Sequence, residues 1–332
     1  MVGSTAVSAD ELAALEFFAG CHVESLGPLA SHLRTLTATP GQVLLRQGEQ
    51  PVSFVLIGSG HAKVQHVGPD GDVSVVEVGP GMIVGEIALL RDAPRNATVT
   101  ATEELSGWVG GHEAFAALLD VPCMLDRLLR TARQRLVTYL VPVPVRLRDD
   151  TELYLRPVLP GDNERTVPGP VLFSEETLYR RFQTTRTPTA SLMAYLFEVD
   201  YVDHFVWVMT DAVDGPVVAD ARFVRDVVDP TTAEIAFIVG DDYQGRGVGT
   251  FLMDALAVAA RGNGVKRFTA RVLAENYSMR AILDRYGARW QRDEQGVVTT
   301  EIEVPPLRAL SISPKLFREI SSVAHQAIRA VG

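Results

Sequence analysis

The sequence predicts an α+β multidomain chain: a small β-roll closed by a helix, then a mixed α/β domain, then a final amphipathic helix. Three observations carry that reading. Between Gly41 and Trp108, short β-type runs alternate with glycines at near-regular intervals, the texture of an antiparallel roll or barrel. After Val141-Pro142-Val143-Pro144 the pattern becomes strands alternating with helical periods, which marks a mixed α/β layer. The length of 332 residues suits two or three domains at roughly 100–200 residues each.

The elements follow in chain order. Ser8 is a candidate N-cap for a helix over 9–18, with Leu12, Leu15 and Phe18 at helical spacing. The strands of the roll are expected at 43–45, 54–57, 62–67 and 73–78. Residues 122–140 read as an amphipathic helix, with Leu125, Leu128, Leu129, Ala132 and Leu136 on one side and Arg127, Arg130, Arg133 and Arg135 largely on others. Pro142 and Pro144 break it, because proline removes a donor and pushes its predecessor out of the α region. The expected domains are therefore 1–145, 146–304 and 305–332. In the second, strands are expected at 153–156, 205–210, 217–224, 234–239, 267–273 and 297–304, and helices at 175–183, 247–261 and 278–286. Ser313 and Pro314 supply an N-cap and a first-turn proline for a last helix to about Arg329.

Composition narrows the classes. Lys+Arg total 31 and Asp+Glu 41, for a net charge of −10, and residues 1–145 alone hold 9 basic and 15 acidic side chains. Neither half is a basic body that would track a phosphate backbone, so no nucleic-acid partner is expected. No run reaches the ~18 apolar residues of a membrane span, and residues 1–10 show no secretory signal. Cys21 and Cys123 lack metal or redox spacing, the histidines form no ligand set, and a cytoplasmic, metal-free protein is the expectation.

Two segments carry chemistry. The first is Gly85-Glu86-Ile87-Ala88-Leu89-Leu90, followed by Pro94-Arg95-Asn96-Ala97. A glycine opening a helical turn exposes N–H groups to an anion, and an arginine offers bidentate contact to phosphate. A glutamate beside a phosphate would be repelled, so its natural partner is a sugar hydroxyl. This stretch resembles the phosphate-binding cassette of cyclic-nucleotide-binding domains, such as those of protein kinase A regulatory subunits and the bacterial cyclic AMP receptor protein. The resemblance spans about 10–140, with 122–140 as the C-helix. It implies that Glu86 binds the ribose 2′-hydroxyl. Arg95 would hold the cyclic phosphate, helped by Gly85, Ile87, Ala88, Asn96 and Ala97. Asn96 departs from the usual Ala or Thr, so the choice of cyclic AMP rests on family habit.

The second segment is a strand ending Ile238-Val239, a turn Gln244-Gly245-Arg246-Gly247-Val248-Gly249-Thr250, and an apolar helix. Such a turn presents free N–H groups and the positive end of a helix dipole to a diphosphate. A Rossmann pattern would need glycine at Thr250, and that reading fails. The spacing resembles motif A of the GNAT acetyltransferases, Q/R-x-x-G-x-G/A. A second family motif follows at Asn276-x-x-Met279 and Ile282-Leu283-x-x-x-Gly287. The resemblance implies that Ile238, Val239, the 244–250 turn and Asn276 hold acetyl-CoA. An amine acceptor with a pKa of ~10.4 is neutral at pH 7 in only about one molecule in 2,000, so a base is needed. Glu234 lies on the cofactor strand, on the face of Ala236 and Ile238, and is the expected catalytic base. Leu283 stands where many family members carry an acidic tyrosine, and Tyr286 is read as packing.

Together the two halves resemble the mycobacterial cyclic AMP-regulated protein lysine acetyltransferases. That resemblance implies an enzyme that moves an acetyl group from acetyl-CoA to lysines of cytosolic proteins, acyl-CoA synthetases and universal stress proteins among them, under control of cyclic AMP. The 122–140 helix is the candidate moving part, and 157–204 a candidate cover for the acceptor site. An acetyltransferase for a small amine and a cyclic-nucleotide-responsive transcription factor are the alternatives.

Overall fold

The computed structural model describes residues 2–3, 7–68, 71, 73–162, 173–183, 196, 199–293 and 296–330. The chain divides into two compact units, the first reaching Ala132 and the second running from Arg133 to Ala330.

The first unit holds two antiparallel sheets. One has five strands in the spatial order Val2–Gly3, Leu33–Ala38, Leu105–Gly110, Phe54–Ser59 and Ile83–Val84; the other has Val43–Leu45, Thr98–Ala101, Ala62–Val67 and Val73–Val78. Phe54–Ser59 shows why the run Phe-Val-Leu-Ile is unbroken by polar residues. Val55 and Ile57 enter the core between the sheets with Leu45, Val99 and Leu105. Phe54 and Leu56 enter a second cluster with Leu12, Leu26, Leu29, Phe115 and Leu118 of the flanking helices. A strand buried on both faces reads as a continuous apolar run.

The first helix is shorter than its apolar spacing suggests. A capping box between Ser8 and Glu11 starts it, but it ends at Ala13, and Glu16–Phe18 forms a separate 3₁₀ turn. Val23–His32 is a helix despite Gly27 and Pro28 inside it. Burial of Leu26, Leu29 and Ala30 outweighs the donor that proline removes. The next helices are His112–Leu119 and Met124–Val137, and the division between units falls inside the latter.

The second unit is built on an eight-stranded sheet. Its spatial order is Val143–Arg146, Glu152–Pro157, His204–Thr210, Val217–Arg225, Thr232–Val239, Arg267–Leu273, Val297–Glu303 and Gln291–Arg292. Val143–Arg146 revises the boundary expected at 145. Val143 and Val145 are buried, Pro144 faces outward, and the strand pairs with Glu152–Pro157 at the sheet edge, where proline's missing donor does no harm. The last helix, Pro314–Ile328, is likewise part of this unit: Ile320, Val323, Ala324 and Ala327 join its core.

Neighbouring strands run antiparallel except Thr232–Val239 and Arg267–Leu273, which are parallel and joined through the helix Val248–Gly262. On one face, Phe205, Trp207, Ala221, Phe223 and Ile235 pack with Leu252, Ala255 and Leu256, and the Trp207 indole donates to the Ala255 carbonyl at 3.0 Å. The other face sets buried charged groups among valines such as Val206 and Val208. There Arg156 makes a bidentate pair with Asp162 at 2.7 and 2.9 Å, and Arg222 donates to Asp220 at 3.0 Å. Half of the proposed cover over 157–204, namely 163–172, 184–195 and 197–198, lies outside the described residues.

Candidate functional site

In the first unit, Gly85 adopts φ +86 and caps the short helix Glu86–Arg91. A Cβ at Gly85 would come within 2.7 Å of Leu45 and 2.8 Å of the Arg95 guanidinium, so close approach as well as backbone sign favours glycine. Glu86, Ile87 and Ala88 are buried along that helix, and Arg95 and Ala97 are buried on the returning chain. The main chain of Arg95 is clamped to a turn: its N–H donates to the Glu49 carbonyl at 2.9 Å, and its carbonyl accepts from Gly48 at 2.8 Å. Its Nη2 donates to the Ser53 carbonyl at 2.7 Å, and its Nη1 reaches the Gly85 carbonyl at 3.4 Å. Burial lowers the Arg95 pKa, while Glu49 and Glu86 oppose that shift. Asn96 is half-buried, and its carbonyl accepts from the His66 ring at 2.5 Å. The cassette residues are thus brought together as a buried cation and carboxylate beside a glycine-led helix start, a donor set that suits a sugar-linked phosphate monoanion.

In the second unit, the parallel ladder between Thr232–Val239 and Arg267–Leu273 has only three rungs: Thr232 with Arg267, Ala233 with Phe268, and Glu234 with Thr269. Beyond Glu234 the strands part, and a cleft of about 690 Å³ opens along residues 234–239. That volume lies within the ~300–1,000 Å³ usual for small-molecule sites. Glu234, Ile238, Val239, Gln244 and Gly245 line it, as do Gly247, Val248, Gly249, Thr250 and Asn276. Gly245 and Gly247 have φ +72 and +90, so the turn can aim successive N–H groups into the cleft where the helix Val248–Gly262 begins. A Cβ on Gly249 would meet Ile282 at 2.8 Å. Asn276 caps the helix Tyr277–Asp284, accepting from the Met279 N–H at 3.2 Å.

Arg246 is placed otherwise. Its side chain turns away to Asp149, at 2.6 Å, and to Thr151, so only its backbone belongs to the turn. That pair holds the Asp149 carboxyl at about 2.

Several cleft residues carried no functional signal in sequence. Arg180 and Arg181, on the helix Glu175–Phe182, line the cleft with Arg271 and Arg285. Four guanidiniums around one cavity suit a polyanionic ligand such as coenzyme A. Burial and the neighbouring Arg222 push Arg181 down to about 10, against Asp220 and Glu234, which hold it up. Asp241 ties the helix Glu175–Phe182 to the glycine turn: it accepts from the Ser174 N–H at 2.7 Å, from the Thr177 hydroxyl at 2.5 Å and from the Gln244 amide at 3.0 Å. Burial works against its ionisation, but the Thr177 and Ser174 hydrogen bonds and Arg180 outweigh it, and its pKa is lowered. Tyr286 donates to Asp254 at 2.5 Å and packs against the core. Burial, then that carboxylate, raises its pKa.

Glu234 is exposed and also lines a second cavity of about 410 Å³, bordered by Thr269, Arg271, Gln291, Thr299 and Glu301. It is therefore reachable from two directions.

Comparison with known proteins places both halves. Residues 35–121 match the cyclic nucleotide-binding domain, and 152–289 match the acetyltransferase (GNAT) domain. The chain is 57% identical over 331 residues to acetyltransferase Pat of Mycolicibacterium smegmatis, covering 100% of this chain and 99% of that one. A solved cAMP-binding acyltransferase from Mycobacterium smegmatis is 53% identical, with a TM-score of 0.53 over 98% of this chain and 97% of that one. A cAMP-dependent protein kinase regulatory subunit from Yarrowia lipolytica is 38% identical over 100 residues, 30% of this chain and 26% of that one. The ligands implied by the sequence, a cyclic nucleotide and acetyl-CoA, are those of the two matched domain families. The chain belongs to the acetyltransferase Pat family, a cyclic nucleotide-binding domain joined to a GNAT acetyltransferase domain.

Proposed function

We propose that this acetyltransferase transfers the acetyl group of acetyl-CoA to the ε-amine of protein lysines, with Glu234 as the base, and that cyclic AMP in the Glu86–Arg95 pocket sets its rate. The observation that carries the reading is the position of Glu234. It borders both the cleft suited to acetyl-CoA and the second cavity, where a base must stand to meet an incoming amine.

The amides of residues 244–250 and the cleft arginines hold the coenzyme A phosphates, and the wall formed by Ile238 and Val239 receives the pantetheine arm. Glu234 accepts a proton from the acceptor ammonium, directly or through one water. The freed amine forms a C–N bond to the thioester carbonyl carbon as the C–S bond breaks, and the extra proton left on the new amide nitrogen passes to the departing thiolate, directly or through water. The departing thiolate has a parent pKa of ~8.5, which makes it a fair leaving group without a dedicated acid. Tyr286 is held by Asp254 and takes no part.

In the first unit, Arg95 pairs with the cyclic phosphate and Glu86 accepts from the ribose 2′-hydroxyl. Full switching from ~1% to ~99% active needs about 10⁴-fold preference for one state; one buried nucleotide supplies part of that, so activation is graded. Acyl-CoA synthetases and universal stress proteins are the substrate classes we assign through the family resemblance. The cytoplasm is the assigned compartment, in keeping with the unpaired Cys21 and Cys123. Among the described residues no helix is long and apolar enough to cross a membrane.

The test is incubation with labelled acetyl-CoA and a cell lysate in the presence of cyclic AMP. Labelled protein bands, lost on lysine-specific deacetylation, are expected. Label confined to small metabolites contradicts the protein-lysine reading.

A further inference from the structure

We infer that Glu301 reads the charge of the acceptor polypeptide, pairing with a basic side chain two residues from the target lysine. This rests on the lysine reading above and names a preference within it.

Glu234 faces Thr269, and Thr269 faces Glu301. The three side chains form one row on one face of three adjacent strands. At about 4.8 Å between strands, Glu301 stands roughly 10 Å from Glu234. Both carboxylates line the second cavity, whose other walls are Thr269, Thr299, Gln291 and Arg271. Those walls are mostly polar, so an occupant is held by hydrogen bonds and charge rather than by apolar burial.

The two arginines beside this row already have carboxylates of their own. Arg267 is held by Asp229 at 2.5 Å and by Thr232, and it also forms an ion pair with Glu301, Nε to carboxylate at 3.3 Å, so an incoming cation shares or displaces a pair in which Arg267 keeps Asp229. Arg271 is held by Asp293 at 2.8 Å. Glu303, one row further, faces Arg267 and does not line the cavity. The groove therefore offers Glu234 to the amine that reacts and Glu301 to a second cation. In an extended segment, side chains at i and i+2 point the same way about 6.6–6.8 Å apart. Long flexible arms span the remaining distance, so a lysine at Glu234 places its i±2 neighbour at Glu301.

Glu301 is 57% exposed, which limits the effect to that of one half-exposed ion pair. The test measures kcat/KM of the full chain, with saturating acetyl-CoA and cyclic AMP, on two sets of capped peptides carrying Arg, Gln or Glu either two residues before or two residues after a single lysine, the ratio being read in the set where it is larger. Wild type is expected to prefer the Arg peptide over the Gln peptide by about threefold, through KM. E301Q brings that ratio to about one, and E301R inverts it in favour of the Glu peptide. Ratios between peptides do not depend on how much of a variant is folded. A wild-type ratio near one, or the same preference persisting in E301Q, overturns the role of Glu301 while lysine transfer stands. Transfer to none of the peptides overturns the lysine reading itself, and this inference with it.

Discussion

Glu234 faces Thr269 across the last rung of a parallel ladder, and the 690 Å³ cleft opens immediately beyond it. The strand thus does two jobs in sequence. Its first residues are pinned by a partner, which fixes the carboxylate, and its later residues lose that partner and leave room for a ligand between the strands.

Removing the charge at that rung tests the proton transfer. Glu234→Gln keeps the size of the side chain, so acetyl-CoA affinity measured by calorimetry should stay within about twofold. The rate of acetyl transfer at saturation should fall by at least about 100-fold, the usual contribution of a positioned base. A variant retaining half its rate would assign the base elsewhere.

Arg95 tests the nucleotide pocket. Arg95→Lys exchanges a planar fork for a single ammonium and abandons the Ser53 carbonyl contact. Cyclic AMP affinity should drop by about tenfold or more, in line with ~1.5–3 kcal/mol for a charge-assisted contact. The activation curve should shift to higher nucleotide by the same factor, because the two are linked. Fluorescence titration and initial rates give the two numbers independently.

Gly247 tests the turn. A Cβ there meets nothing within 4 Å, but its φ is +90, so Gly247→Ala strains only the backbone, by roughly 1–2 kcal/mol. If the turn relaxes to relieve that strain, its amides lose their aim. The KM for acetyl-CoA should rise about tenfold with a smaller change in kcat, and an unchanged KM would remove the turn from cofactor binding.

Much of this arrangement was legible in the sequence because its signals are local. The glycines at 245, 247 and 249 and the Ser313-Pro314 helix start each need only their neighbours. What stayed hidden depends on partners far along the chain. Asp241 reads as one acid of a turn, and its bonds to Ser174 and Thr177 span 67 and 64 residues. Arg180 and Arg181 sit on a charged helix that looks solvent-facing until that tether draws it to the cleft. Val143-Pro144-Val145 reads as a break because proline is a stronger local signal than a two-residue alternation, and only sheet pairing turns it into an edge strand.

His204 gives the second unit a pH dependence. It is 7% exposed, and burial, with Arg222 nearby, lowers its pKa from 6.5 to about 4. Between those values the unfolded chain holds a proton that the folded chain does not, so stability rises with pH across that window and is level above it. On acidification to pH 5 this group should remove about 2 kcal/mol. Thermal unfolding of wild type at pH 7.5 and 5.0 should show a larger fall than His204→Gln; equal falls would contradict the assignment.

The central claim is that filling one pocket changes the chemistry at the other. The most direct measurement is the initial rate of acetyl transfer from acetyl-CoA to a lysine substrate, with and without saturating cyclic AMP, on the same preparation. A rate that rises with the nucleotide, and does so at far higher concentrations in Arg95→Lys, is the result expected. Equal rates at zero and saturating nucleotide, with cyclic AMP demonstrably bound, would contradict it.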